Sequence, residues 1–284
     1  MLDLILNNSL ALVWVLGLGV GLVMGLTGAG GGILSVPLLV MGLGWSMQQA
    51  APVSLMAVAV GASIGAIDGF RHGLVRYKAA LLMACAGVPL TRLGQELASV
   101  LPSEWLKLVF GMLLLHLGQR MLRRVDAQTL FEGWGPLRVA LIDQRTGRFI
   151  WNRSTALLMM AIGAITGLLS GLLGVGGGFF IVPMLRKFTR LSMTGIVATS
   201  LFLIALVSGG AAIQASLRGI HWPVETWPFV GSVSIGMLMG RRLARHVPAE
   251  GLQRIFAILL LAVAAGMMVQ VVWTWMITGT QQAA

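Results

Sequence analysis

The feature that leaves this chain the fewest choices is a series of long uncharged segments. Leu10 to Met24, Met47 to Ile67, Ala156 to Leu185, Trp227 to Gly240 and Ile255 to Ile277 contain no Asp, Glu, Lys or Arg, and Leu106 to Gln119 holds only Lys107 and His116. An apolar helix of about 20 residues crosses the hydrocarbon core of a bilayer. Unpaired backbone groups are costly there, and a helix pairs its own, so these segments are expected to be membrane helices. Composition agrees: 57% of the 284 residues are hydrophobic, only 10% are charged, and the mean hydropathy is +0.89. An ordinary soluble domain is excluded. The segments recur as far as Ile277 and no Lys or Arg precedes Arg71, so the first is expected to be a retained span rather than a cleaved signal peptide.

The formal charge of +11 does not indicate a nucleic-acid partner, because the basic residues lie between apolar segments, where the positive-inside bias puts them. Cys85 stands alone, which rules out an intramolecular disulfide and a cysteine-based metal site. The chain contains no H-E-x-x-H or G-x-x-x-x-G-K-[ST], and its one G-x-S-x-G string, Gly61-Ala-Ser-Ile-Gly65, lies inside an uncharged span rather than at a strand-to-helix turn, so no zinc-protease, serine-hydrolase or Walker-type chemistry is indicated. The expectation is a protein that is not an enzyme and needs no cofactor. Any uphill transport would then draw on an ion gradient, with H+ or Na+ as the coupling ion.

A self-match organises the whole chain. Gly28-Ala-Gly-Gly-Gly32 recurs as Gly174-Val-Gly-Gly-Gly178, an offset of 146 (174 minus 28), and Pro37 recurs as Pro183. Without a gap, Ser46-Met47 matches Ser192-Met193, Ser54-Leu55 matches Ser200-Leu201, Gly73 matches Gly219, and Pro102 and Glu104 match Pro248 and Glu250. The chain therefore reads as two units, residues 1–122 and 154–284, joined by a connector over 123–153. Each unit divides into five helical elements: an apolar segment, a glycine-rich break with a short apolar arm, and three longer segments. The expected fold is an all-α polytopic membrane protein of two tandem homologous units, each with a glycine-broken or re-entrant hairpin.

Charge sets an expected orientation. In the first unit Arg71, His72, Arg76 and Lys78 follow the third element, and Arg120, Arg123 and Arg124 follow the fifth. In the second, Arg186, Lys187 and Arg190 follow the second element, and Arg241, Arg242, Arg245 and His246 the fourth. Equivalent junctions thus carry opposite bias, so the units are expected to be inverted, with both termini periplasmic. The connector, with Arg138, Arg145, Arg148 and a hairpin-like or irregular stretch around Asp143 to Gly147, reads as a cytoplasmic tether.

Paired glycine breaks in two copies are a pattern of secondary transporters, whose sites lie near the midplane. Glycine lets the chain turn and exposes backbone N–H groups. The helices starting near Ile33 and Phe179 would aim partial positive charge at the breaks, which suits an anion and avoids burying Lys or Arg. The substrate-binding candidates are therefore Gly28, Gly30, Gly31, Gly32, Gly174, Gly176, Gly177 and Gly178, with the hydroxyls of Ser54, Thr199 and Ser200. Other hydroxyls (Thr27, Ser35, Ser63, Ser208) carry less weight, since membrane hydroxyls commonly bond their own helix. Asp68, His116 and Gln214 are coupling or gating candidates, although Asp68 has Arg71 three residues away as an interfacial partner. Gly17, Gly21, Gly25 and Gly163, Gly167, Gly171 are spaced for helix packing.

The doubled pattern from Gly17 through Gly28-x-Gly-Gly-Gly32 to Pro37, and from Gly163 through Gly174-x-Gly-Gly-Gly178 to Pro183, resembles the TauE/SafE-type sulfite exporter family over nearly the whole chain. The resemblance implies a bacterial inner-membrane permease for small sulfur-containing anions, such as sulfite, sulfoacetate or related organosulfonates. Export is the leading direction; uptake of the same anions, or a non-transporting assembly or sensor protein, are the alternatives. The implied partners are a small anionic substrate and the lipid bilayer, and a homodimer is compatible with the sequence. One departure weakens symmetry: Ala51-Pro-Val-Ser54 stands opposite Val197-Ala-Thr-Ser200, without the threonine before the serine.

Overall fold

The computed structural model describes residues 2–28, 30–123, 151–189, 191–244, 246 and 249–282. The expected connector over 124–150, with Arg124, Arg138, Arg145 and Arg148, lies outside the described residues, as do Ala29, Arg190 and Arg245. Among the described residues the chain forms ten α-helices. They are α1 (Leu2–Thr27), α2 (Ser35–Leu43), α3 (Met47–Arg71), α4 (Tyr77–Val100), α5 (Ser103–Arg123), α6 (Arg153–Leu173), α7 (Gly178–Phe188), α8 (Met193–Leu217), α9 (Thr226–Leu243) and α10 (Ala249–Gln282). A 3₁₀ turn, Gly31–Leu34, leads into α2.

The repeat is visible in how helices begin and end. Ser46 caps α3 by accepting from the Gln49 N–H, with the Gln49 side chain closing a capping box, and Ser192 caps α8 by accepting from the Gly195 N–H. The same two helices stop at Gly73 and Gly219, which sit at φ +65° and +75°. The helix lengths suit a bilayer. Among the described residues five spans, Leu10–Thr27, Met47–Arg71, Arg153–Leu173, Met193–Leu217 and Gly251–Thr274, are long and apolar enough to cross one. Outward-facing Val15, Leu81, Ile165, Ile213, Ile258 and Val269 give the bundle an apolar skin suited to lipid. This is a multi-pass membrane protein.

The two units interlock rather than sit side by side. The most extensive helix pairings are α1 with α9, α6 with α4, α3 with α8, and α5 with α10, and each joins one unit to the other. Glycine makes the first two possible. A Cβ at Gly21 would lie 2.1 Å from the Val233 carbonyl oxygen, and one at Gly25 2.5 Å from that of Met237. In the other pair, Cβ atoms at Gly163, Gly167 and Gly171 would lie 2.1, 2.0 and 2.1 Å from the carbonyl oxygens of Met83, Gly87 and Thr91. Backbone therefore rests on backbone. In lipid, burying apolar area gives no advantage to one helix pair over another, so close packing of this kind is what holds helices together.

The contacts also give the sense of each pair. Gly17, Gly21 and Gly25 meet residues 229–241 of α9 in increasing order, so α1 and α9 run the same way, as do α6 and α4. Gly65 meets Leu201 and Gly69 meets Ala198, so α3 and α8 run in opposite directions. Gly111 meets Met268 and Gly118 meets Leu261, so α5 and α10 are likewise opposed. The α4 and α8 ends that approach one another on the surface are tied by Glu96, which accepts from Arg92 and Arg218 at 3.0 Å each.

Replacing Gly21 or Gly167 by Val is expected to destabilise the bundle by about 1–3 kcal/mol or more, since neighbouring backbone cannot yield as a side chain can. Gly19→Ala, with nothing within 4 Å of the added Cβ, should leave stability unchanged or slightly raised. Thermal unfolding in detergent measures the contrast, and equal effects at Gly19 and Gly21 would contradict the packing account.

Candidate functional site

Each unit turns back on itself at its glycine break. Gly28 ends α1 at φ +81° and Gly174 ends α6 at φ +73°, while Gly176 and Gly177 add two further left-handed residues before α7. That conformation is open to glycine without steric cost. The chain then returns along the helix it left: a Cβ at Gly31 would lie 2.2 Å from the Met24 nitrogen, and one at Gly42 2.6 Å from the Leu16 side chain. The returning segments are short. The 4-residue turn with 9-residue α2, and the 11-residue α7, reach about 20 Å and 16 Å respectively at helical rise.

The two breaks meet inside the bundle. A Cβ at Gly32 would stand 3.0 Å from the carbonyl oxygen of Val175, so the breaks are in direct contact. Val58 of α3 packs on both, within 3.1 Å of that position at Gly32 and 2.8 Å of its counterpart at Gly176. Ile204, the repeat partner of Val58, lies 3.2 Å from the same point at Gly176. Gly31, Gly32, Gly174, Gly176, Gly177 and Gly178 are all buried, and Gly30 is half-buried against the Phe256 ring. Gly177 precedes α7 without a side-chain cap, and its carbonyl accepts from the N–H groups of Phe180 and Ile181.

The hydroxyls are used unequally. Ser54 Oγ donates to the Gly174 carbonyl at 2.7 Å, pinning the second break to α3. Its partner Ser200 is fully buried, yet its Oγ has no hydrogen-bond partner among the described residues. Thr199 Oγ1 accepts from the Arg76 backbone N–H at 3.0 Å, so the threonine that lacks a first-unit equivalent holds the start of α4. Thr27 and Ser63 bond their own helix, to Val23 and Ala59 carbonyls. Buried Ser35 and Ser208 have unpartnered oxygens among the described residues.

Two cavities flank the contact between the breaks, and they occupy equivalent places in the two units. Gly25, Met193, Val197, Leu201 and Arg241 line the larger, of about 840 Å³; their partners at the 146 offset, Gly171, Met47, Ala51, Leu55 and Gln95, line the smaller, of about 180 Å³. The larger one reaches Thr27 and Gly28 and is walled by Asp68, Arg71, Arg241 and Arg242. Of the glycines named as substrate-binding candidates, only Gly28 lines either of these cavities; Gly32 makes the contact between the breaks, and Gly30, Gly31, Gly174, Gly176 and Gly177 pack against Phe256, Met24, Ala51, Val58 and Thr166.

The coupling candidates separate. Asp68 does not take Arg71 as its partner. It accepts from Arg241 of α9, and His72 Nδ1 lies 3.6 Å from its other carboxylate oxygen. The correction has a geometric cause: α3 packs along α9, which brings Arg241 alongside, whereas Arg71, exposed in the last turn of α3, lines the cavity without an ion pair to Asp68. Gln214 is half-buried and donates to the Val88 carbonyl at 3.0 Å. His116 lies on the exposed face of α5 and lines neither cavity.

Sequence reasoning passed over Arg241, Thr166 and Ser170. Thr166 and Ser170 are fully buried on α6, with oxygens unpartnered among the described residues, and Thr166 packs against Gly177. Their first-unit equivalents are Val20 and Met24, so weighting positions by repeat identity hid them. Arg241 was legible in one way: it and Asp68 occupy the positions where the other unit has Gln95 and Gln214.

Comparison with known proteins places this architecture. Residues 13–267 match the family model described as "Sulfite exporter TauE/SafE". A "Probable membrane transporter protein" of Xylella fastidiosa (strain Temecula1) is 28% identical over 262 residues, covering 89% of this chain and 91% of the relative. "Probable membrane transporter protein YunE" of Bacillus subtilis is 23% identical over 263 residues, covering 90% and 96%. "Probable membrane transporter protein MJ0441" of Methanocaldococcus jannaschii is 26% identical over 239 residues, covering 81% and 80%.

Ser54→Ala is expected to cost about 1 kcal/mol or more, since it strands the buried Gly174 carbonyl, whereas Ser200→Ala removes no bond and should be near neutral. Thermal unfolding of the two variants in parallel tests the asymmetry, and equal losses would contradict it.

Proposed function

The chain belongs to the sulfite exporter TauE/SafE family, and from that premise we propose that it is a secondary transporter exporting small sulfur-containing anions such as sulfite, sulfoacetate or an organosulfonate. Its two units are inverted copies. Equivalent helices α3 and α8, and α5 and α10, run in opposite directions, in keeping with the opposite charge bias of equivalent junctions. Arginine marks the cytoplasmic side. The larger cavity, with Arg71, Arg241 and Arg242, then opens to the cytoplasm, and both termini are periplasmic in a bacterial inner membrane.

The observation that carries this reading is the pair of repeat-equivalent cavities, unequal in volume, on opposite sides of two touching glycine breaks. An inverted repeat whose halves hold different conformations is open on one side only, and exchange of those conformations opens the other. The Ser54 bond to Gly174 closes the periplasmic side, and its missing counterpart at Ser200 and Gly28 leaves the cytoplasmic side open. The re-entrant arms α2 and α7 bring helix N-termini to the midplane. When the packed contact between the breaks opens during the cycle, Gly30 to Gly32, Gly176 to Gly178 and the neighbouring hydroxyls hold an anion there without a buried cation. A gradient of H+ or Na+ drives the cycle.

In proteoliposomes, labelled sulfite or sulfoacetate is expected to cross saturably and in a protein-dependent way; absence of flux for sulfite, sulfoacetate and a panel of organosulfonates would refute the substrate class. Orientation is checked separately in a Cys85→Ser background. Thr194→Cys, in the larger cavity, should react with a membrane-impermeant maleimide from the cytoplasmic side. Gln48→Cys, at the equivalent place in the smaller cavity, should react slowly and only from the periplasm. Labelling of both from one side would refute the inversion.

A further inference from the structure

We infer that Arg241 is an oxyanion-recruiting residue in the wall of the larger cavity, with Asp68 as the tethered carboxylate that holds its place until an anion arrives. The inference rests on the transport reading for its physiological meaning, but its binding chemistry stands separately.

The repeat itself isolates what the charge is for. Arg241 Nη1 donates to the Gly65 carbonyl at 2.7 Å, tying α9 to α3. In the other unit Gln95 stands at the Arg241 position and donates to the Ala211 carbonyl, the equivalent of Gly65, at 3.1 Å. The tie between helices is thus also made by a neutral amide, although Gln95 Oε1 and Gln214 Oε1 have no partner among the described residues. Asp68 likewise has Gln214 as its counterpart. A guanidinium and a carboxylate, 28% and 39% exposed, carry a larger desolvation penalty than two amides. The charge is therefore not required for the tie between the helices.

Its setting indicates the task it does serve. Asp68, Arg71, Arg241 and Arg242 all line the 840 Å³ cavity, so among the described residues of its wall three guanidiniums face one carboxylate. Arg218, in the wall of the smaller cavity, is instead matched by Glu96 at 3.0 Å. A guanidinium presents paired N–H donors that fit two oxygens of a carboxylate or of a sulfur oxyanion. Asp68 offers such oxygens in the resting protein. An incoming sulfite or sulfonate exchanges for it, so that Arg241 stays paired throughout and the anion is held beside Thr27 and Gly28, at the approach to the break.

The Gln95 and Gln214 pair supplies the test variant. Asp68→Gln with Arg241→Gln gives this helix seam the residues that the equivalent seam, with Gln214 and Gln95, already has, and folding is verified by the unfolding temperature of the double variant. We expect sulfite or sulfoacetate to stabilise the wild type thermally, and Asp68→Asn to respond at lower anion concentration. Arg241→Gln and the double variant should need about 10-fold more anion or higher, the scale of one lost charge-assisted hydrogen bond. In flux the same changes should appear in KM more than in maximal rate. Arg92→Gln, which removes an exposed arginine outside both cavities, should match wild type. Unchanged anion dependence in the folded double variant, or an equal shift in Arg92→Gln, would overturn the inference while leaving transport intact. Arginine-dependent anion binding without flux would instead sustain it and overturn the transport reading.

Discussion

Backbone lying directly on backbone, at the glycines of α1 against α9 and of α6 against α4, is the contact from which the rest of the structure follows. Each pair joins the first helix of one unit to the fourth of the other, so neither unit can close without its partner. Gly236 and Gly240 return the contact from α9, with Cβ positions 2.4 and 2.3 Å from the carbonyl oxygens of Leu18 and Leu22. In lipid there is little hydrophobic advantage in helix association, and dispersion at close range takes its place. A single side chain inserted into such a seam would separate the helices along their length.

That seam also positions the breaks. Because α1 and α6 are each held against the opposite unit, the turns that end them are carried inward from both sides until Gly32 meets Val175 over Val58 and Ile204. The centre is therefore tightly packed, and the open volume lies to either side. The two sides differ although the sequence positions correspond. One has the Ser54 bond to Gly174 and a small cavity; the other has an unpartnered Ser200 and a large one. A repeat that is symmetric in sequence can thus hold two conformations at once, which is the property a transporter of this kind needs.

Departures from the repeat are as informative as its matches. Thr199 has no first-unit equivalent, and its hydroxyl is occupied by the Arg76 backbone. The hydroxyls Thr166, Ser170 and Ser208 stand opposite Val20, Met24 and Ala62, and Thr27 and Ser35 opposite Leu173 and Ile181, so the two breaks have polar groups at different positions. Asp68 and Arg241 put charge where Gln214 and Gln95 have none. Substrate chemistry in such a protein is to be sought where the halves disagree, because what both halves share is what both need in order to fold.

Taken by itself, the amino-acid order determined the membrane setting, the succession of apolar helical segments and the glycine packing stripes. All of these follow from local rules: uncharged length sets a span, and glycines spaced four apart line one face of a helix. It could not determine which helix meets which. That depends on how side chains interdigitate between segments far apart in the chain, and so only the tertiary structure paired Asp68 with Arg241 in preference to the nearer Arg71. For the same reason it was the packing, not the motif, that decided which side of the breaks is open: two equivalent sequences can occupy unequal conformations, and the difference lies in contacts that each half makes with the other.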